Sequence, residues 1–303
     1  MKVVITGCEG YIGSALCTML KGADNIESRL SAWPGHAKIE NPKLEIYPID
    51  INQWDIRCPL NLTNYISSES RIILRTFGQT HRDEINTEEI DCVVHLAALV
   101  KVGESVQRPW DYYDTNINGT KHVIDAFPNA KIIYASTGAV ANPTSPYARS
   151  KEVAEDIVRS MCDKYTIFRF FNVGGNQPTN PEGLYQATQN AIKSGTFTIF
   201  GNDYDTLDGT CVRDYIHVLD LCDAIHRAIV EPSSNTKFEP IGSGKSYTVE
   251  QYIKTFLEVN GPLFKVVYGY RRPGDNSKSE VPWHSSFTFG DNPLRTLEEI
   301  VKL

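Results

Sequence analysis

Tyr147 and Lys151 stand four positions apart in the segment Ser145-Pro146-Tyr147-Ala148-Arg149-Ser150-Lys151. On a helix, residues i and i+4 share one face, so this phenol and this ammonium can reach the same ligand. A free phenol ionises at about pH 10, too high for a base at neutral pH. A neighbouring lysine cation and an oxidised nicotinamide ring would both stabilise the phenolate and bring that value down. The ammonium can also donate to ribose hydroxyls. Upstream, Ser136 and Thr137 follow the apolar run at residues 131–134. A hydroxyl at a strand end there can complete a proton path to a substrate oxygen.

A second constellation opens the chain. Gly7, Gly10 and Gly13 are spaced GxxGxxG directly after the run KVVIT. With no Cβ in the way, backbone N–H groups and the N-terminus of the next helix can approach a pyrophosphate. Strand, glycine turn and helix in that order form a dinucleotide-binding signature. The acid that grips the adenosine ribose belongs at the end of the second strand. Asp50 follows the run at 44–49 and is the first choice, which makes residues 22–42 an insertion. Asp24 is the rival, and it leaves almost no room for a second strand. With Asp50 in that place, Asp55 and Ile56 would lie against the adenine.

These groups need a frame. Buried-strand candidates are residues 2–6, 44–49, 92–96, 131–134 and 166–170, with helical stretches at 12–20, 110–127 and 147–161. Such alternation predicts an α/β fold, a Rossmann-like doubly wound parallel sheet covered on both faces. After about residue 175, Pro and Gly become frequent and the strand candidates shorten to 197–200 and 265–268. This texture and the glycine turn predict a nucleotide-binding domain over residues 1–175. A smaller C-terminal α+β substrate-binding lobe follows over 176–303, with a short return to the first domain. Residues 22–42 and 67–89 are polar and irregular, and no element is assigned to them.

Composition excludes several classes. The 303 residues are 41% hydrophobic and 22% charged, which rules out disordered and collagen-like chains. A net charge of −7, from 30 basic and 37 acidic residues, argues against nucleic acid or an anionic membrane as partner. Residues 1–13 lack a basic segment followed by a long apolar core, so no secretion signal is expected. Seven scattered cysteines form no CxxC pair and no metal cluster with histidines, the pattern of reduced thiols in a cytoplasmic protein without a metal.

The stretches GCEGYIG, HLAALVKVGESVQRPWDYYDTNINGT, YASTGAV, SPYARSK, RFFNVGG, IFGNDYDTLDGTCVRDYIHVLDL and RRPGD occur in this order. Through them the chain resembles the extended short-chain dehydrogenase/reductase family, most closely its UDP-glucose 4-epimerase branch. The resemblance implies tightly held NAD, a UDP-sugar between two lobes, and a homodimer built through helices 110–127 and 147–161. It implies inversion of C4 of a UDP-hexose: Tyr147 takes the 4-hydroxyl proton, hydride leaves C4, the 4-keto intermediate rotates, and hydride returns to its other face. Holding both reactants in register would supply much of the acceleration. By the same resemblance Thr137 partners Tyr147. Tyr11 and Ile12 sit on the pyrophosphate, and Leu96, Ala97, Ala98, Asn116 and Phe171 are cofactor contacts. Asn172, Phe200, Arg213, Arg272 and Asp275 grip the nucleotide diphosphate. Guanidinium groups suit that task in an acidic protein, because their planar fork matches phosphate geometry.

Departures from the family pattern matter. The stretch between Thr137 and Tyr147 and the loop after Gly175 are short, and Val100 stands where many epimerases carry Lys. Counting on from Asp275, Ser279 occupies the position where glucose-restricted epimerases carry a bulky Tyr, which leaves room for a 2-acetamido group. Two other readings compete. A nucleotide-sugar 4,6-dehydratase would carry Asp-Glu after the catalytic Thr, whereas Gly138-Ala139 follow Thr137 here. A non-catalytic NAD-binding sensor would lose the Tyr or the Lys, and both are present.

Overall fold

The computed structural model describes residues 1–21, 44–49, 57, 71–75, 82–175, 183–231, 237–272, 275–282 and 294–303. Asp24, Asp50, Asp55 and Ile56 lie outside them. The chain opens with strand β1 (Lys2–Thr6), the glycine turn and helix α1 (Tyr11–Lys21). Strand β2 (Glu45–Ile49) follows, then an antiparallel pair, β3 (Arg71–Arg75) with β4 (Arg82–Asn86), in the stretch left unassigned from sequence. Strand β5 (Cys92–His95) leads to α2 (Val102–Gln107) and α3 (Pro109–Tyr113). A π-helical turn, Asp114–Asn118, runs from α3 into α4 (Gly119–Ala126). Strand β6 (Lys131–Thr137), helix α5 (Pro146–Met161) and strand β7 (Tyr165–Phe170) complete the first half.

The second half contributes β8 (Asn172–Gly174), α6 (Gly183–Ser194), β9 (Thr196–Phe200), β10 (Val212–His217) and α7 (Val218–Val230). It continues with β11 (Lys237–Ile241), β12 (Ser246–Thr248), α8 (Val249–Asn260), β13 (Lys265–Gly269), β14 (Lys278–Ser279) and α9 (Leu297–Val301). Strand β11 joins the main sheet beside β7, so that sheet reads β11-β7-β6-β5-β1-β2, parallel throughout.

Alternation of side chains dictates the layers. Val3 and Ile5 of β1, Val94 of β5, Ile133 of β6 and Phe168 of β7 point to one face, covered by α1 and α7. Val4, Val93, Ile132, Tyr134 and Ile167 point to the other, covered by α4 and α5. Each fully buried aliphatic side chain contributes roughly 1.5–3 kcal/mol relative to exposure. A third core of Phe197, Ile199, Tyr215, Tyr252, Phe256, Phe264 and Ile300 holds the smaller lobe together.

Chain order reverses between β1 and β5: from β1 the chain moves out to β2, then returns on the far side at β5. In open α/β sheets such a switch point forms a crevice at the carboxyl ends of the strands, and ligands bind there.

Candidate active site at the carboxyl ends of the strands

The glycine turn lies at this switch point. Gly7 has φ +72°, and a Cβ there would sit 2.8 Å from the Ala97 nitrogen; one on Gly13 would run into the Gly7 carbonyl oxygen. Only hydrogen side chains let the turns after β1 and β5 touch and let α1 start this close beneath them. The Leu96 N–H donates to the Thr6 carbonyl at 3.2 Å and the Ala97 N–H to Thr6 Oγ1 at 3.3 Å, so both loops form one ledge. Gly7, Gly10, Ile12, Gly13, Leu96, Ala97 and Ala98 are therefore brought to one end of the sheet. Tyr11 is buried, and its hydroxyl reaches across to donate to the Gly175 carbonyl. The ledge fits a dinucleotide: its glycines let the two loops and the start of α1 meet at the switch point, where the helix N-terminus can receive a pyrophosphate.

Helix α5 carries Tyr147 and Lys151, the candidate acid–base pair. Ser145 caps it, its hydroxyl accepting the Ala148 N–H at 3.2 Å, and Pro146 occupies the first turn with φ already set. Tyr147 packs edge-on against Tyr112, with ring centroids 6.4 Å apart. The Lys151 ammonium is buried and lies 4.2 Å from the centre of the Tyr134 ring, a cation–π contact. Among the described residues it has no carboxylate partner at ion-pair distance. Burial lowers its pKa to about 7, while the charge of Glu155 pushes the other way.

Several groups fix this pair that spacing alone did not single out. His95, at the end of β5, is held at Nδ1 by Thr6 Oγ1 (2.8 Å) and at Nε2 by Thr120 Oγ1 (3.1 Å). Burial and the Lys151 charge depress its pKa to about 3, so it packs as a neutral ring beneath the ammonium. Asn116, within the π-helical turn, accepts the Leu99 N–H at 2.9 Å. It donates to the Leu99 carbonyl at 3.0 Å and to Ser150 Oγ at 2.9 Å. It thereby ties the loop after β5 to helix α5. Asn116 is among the cofactor contacts that the family resemblance implies; for His95 the signal available is a lone histidine ending an apolar strand.

Thr137 ends β6 and caps a short turn, its Oγ1 accepting the Ala139 N–H at 3.3 Å. The Phe171 ring lies over Gly138, where a Cβ would come within 2.5 Å of ring carbon Cε1. A side chain at that position would have to displace the ring.

The small sheet assembles the other candidates. Asn172 on β8 pairs in register with Tyr215 on β10 and donates to the Asp214 carbonyl at 3.3 Å. Arg213 on β10 pairs in register with Ser279 on β14, its Nη1 donating to the Val212 carbonyl at 2.8 Å. Arg272 pairs with Asp275 at 2.8 Å, and its guanidinium lies 4.7 Å from the centre of the Phe200 ring. The strands split these residues into two groups, Asn172–Arg213–Ser279 and Phe200–Arg272–Asp275. The segment after Asp275 touches the loop between Thr137 and Tyr147: Thr144 donates to Asn276 Oδ1 at 3.3 Å, and Asn276 donates to the Asn142 carbonyl at 3.4 Å. Asp214 is buried and held by Ser243 and Gly244 N–H groups at 2.6 and 2.8 Å. It fixes the loop before β12 to the Arg213 strand.

The sequence model of the NAD dependent epimerase/dehydratase family matches residues 3–242. UDP-glucose 4-epimerase 2 of Oryza sativa subsp. japonica is 33% identical over 346 residues, covering 94% of this chain and 78% of that protein. The crystal structure of UDP-glucose 4-epimerase from Bifidobacterium longum in complex with NAD+ and UDP has a TM-score of 0.69 at 22% identity. That match covers 99% of this chain and 96% of the other. The UDP-Glc/GlcNAc 4-epimerase of Campylobacter jejuni gives 0.63 at 25% identity, over 99% and 97%. The fold is the Rossmann-like one expected, and the chain belongs to the NAD dependent epimerase/dehydratase family.

Proposed function

We propose that this protein is an NAD-dependent isomerase that inverts C4 of a UDP-hexose, interconverting UDP-glucose and UDP-galactose. The observation that carries the reading is a buried Lys151, without a carboxylate at ion-pair distance among the described residues, one turn along α5 from Tyr147, with Thr137 at the end of the adjoining strand β6. The names of the relatives in sequence and structure support the same reaction. When bound, NAD supplies the hydride acceptor and donor. Gly7, Gly10, Tyr11, Ile12 and Gly13 would hold its pyrophosphate, with Leu96, Ala97, Ala98, Asn116 and Phe171 around it and Asp50, Asp55 and Ile56 toward the adenosine. Tyr147 takes the proton of the sugar 4-hydroxyl and returns it once the sugar has turned. Lys151 donates to ribose hydroxyls and favours the phenolate by its charge. Thr137 donates to the same sugar oxygen. Arg213 and Arg272 neutralise the diphosphate, with Asn172, Phe200 and Asp275 shaping the nucleotide pocket.

Incubating the purified protein with UDP-galactose should give UDP-glucose with no net NADH. A 4-keto-6-deoxy product would mark a dehydratase, which the crowding at Gly138 disfavours, and neither product would mark a sensor.

Substrate range extends to the N-acetylhexosamines in this proposal, because Ser279 lies in register beside Arg213 and presents a small side chain. Ser279→Tyr should lower the rate on UDP-N-acetylglucosamine relative to UDP-glucose by about tenfold or more. An unchanged ratio of the two rates would reject the assignment.

The division into an NAD lobe at residues 1–175 and a substrate lobe at 176–303, with β11 returned to the first, belongs to the same proposal. So does a homodimer through α3, α4 and α5, supported by the exposed Trp110 (80%), Val153 and Met161. A cytoplasmic location accords with the mostly buried thiols at positions 8, 17, 92, 162, 211 and 222. Among the described residues no helix is long and apolar enough to cross a membrane.

A further inference from the structure

Tyr147, Lys151 and Glu155 recur at intervals of four along α5, so one helix face carries all three. Glu155 is completely buried. Its Oε1 accepts Ser136 Oγ at 2.5 Å and Arg169 Nε at 2.8 Å; its Oε2 accepts Arg169 Nη2 and Arg159 Nη2, each at 2.7 Å. Arg169 thus grips both oxygens in a fork. Phe238 of β11 lies across both guanidiniums, 4.4 Å from Arg169 and 5.6 Å from Arg159. Ser136 directly precedes Thr137, so one carboxylate links the acid–base helix to the strand end that carries the third hydroxyl.

Stability alone does not account for this cluster. Taking a carboxylate and guanidiniums out of water costs about as much as their attraction returns, and apolar residues of similar volume serve a core as well or better. What apolar residues cannot supply is a directional tether and a fixed negative charge one turn from Lys151. Among the described residues, the titratable groups around Lys151 are Tyr134 from β6, neutral His95 from β5 and, on its own helix, Tyr147 and Glu155 at one turn to either side, with Arg159 and Arg169 paired to Glu155. Glu155 is the one anion among them.

We infer that Glu155 is a positioning residue: it holds α5 against the end of β6 through Ser136, and its carboxylate, one turn along the same helix face, favours the charged form of Lys151. The inference rests on the proposed roles of Tyr147 and Lys151. Burial works against the ammonium, and the carboxylate opposes that effect.

Two variants of the full chain test the two halves. Ser136→Ala loses only the tether and should lower kcat about tenfold with KM unchanged. Glu155→Gln combined with Arg169→Gln leaves net charge unaltered and replaces the ionic fork with an amide pair. In it, the alkaline limb of the kcat profile and the pH at which NAD affinity falls should both move acidward by about one unit. NAD affinity is read by calorimetry, without turnover. Parent kcat in the first variant, or parent midpoints in the second, would overturn the corresponding half. Loss of fold in the paired variant with no loss of kcat in Ser136→Ala would leave Glu155 a purely structural residue, and would overturn both. An active Tyr147→Phe protein would instead sink the underlying reading, so the two failures are told apart.

Discussion

Tyr147→Phe will keep its fold and its NAD and will lose about a thousandfold in kcat. The substitution removes a single oxygen. The ring that packs on Tyr112 is retained, as is the backbone carbonyl that accepts Ser150 Oγ at 2.8 Å. Nothing in the glycine turn is disturbed, so cofactor content after gel filtration should match the parent. Withdrawing a positioned acid–base group typically costs 10²–10⁴-fold, about 3–5 kcal/mol in the barrier. Because binding groups are untouched, KM for UDP-galactose should stay within about twofold. A variant within tenfold of the parent kcat would mean that the proton leaves by another route.

Gly13→Ala will act on the cofactor rather than on the chemistry. A methyl group there meets the Gly7 carbonyl oxygen and lies 2.9 Å from Cys8 Cα and from the Gly7 carbonyl carbon, all of it backbone. No side-chain rotation relieves such a clash, so α1 must withdraw from β1 and the ledge that receives a pyrophosphate must open. Overpacking of this kind costs about 1–3 kcal/mol, which on the bound state alone means about a hundredfold loss of NAD affinity. Fluorescence titration with NADH measures it. Gly103→Ala is the control: a Cβ there meets nothing within 4 Å, and affinity should not change.

The parts of this molecule that could be read from sequence are those whose physics is local. The glycine turn and the Tyr–Lys pair announce themselves by spacing, and central parallel strands such as CVVH and KIIYAST by continuous apolar runs. The second half was less legible because its order comes from distant partners. Strand β14 is two residues long and exists by register against β10. Strand β11 contains a proline and sits at the edge of the main sheet, so KFEPI carries little strand signal of its own. Helix α7, VLDLCDAIHRAIV, shares only its first four residues with the stretch IFGNDYDTLDGTCVRDYIHVLDL, and no helix is assigned there from sequence. The run at 110–127 reads as one helix, and the wide turn inside it leaves no mark in composition. Glu155 was visible as a third member of a four-residue series, yet its meaning depends on Ser136 and Arg169, which only the sheet brings to it.

That wide turn has a consequence in angle. Tyr112 and Thr120 are eight positions apart, and on an unbroken helix, at about 100° per residue, their side chains would diverge by about 80°. The turn Asp114–Asn118 absorbs one extra residue, which cancels about 100° of rotation and returns the two to within about 20° of one meridian. Both are accordingly buried on the same side, Tyr112 against Tyr147 and Thr120 against His95. In azimuth the segment behaves as a single rod with a spare position, and Asn116 lies in the stretch that holds the spare. Its amide can therefore swing toward Leu99 and Ser150 without turning either flank away from the crevice.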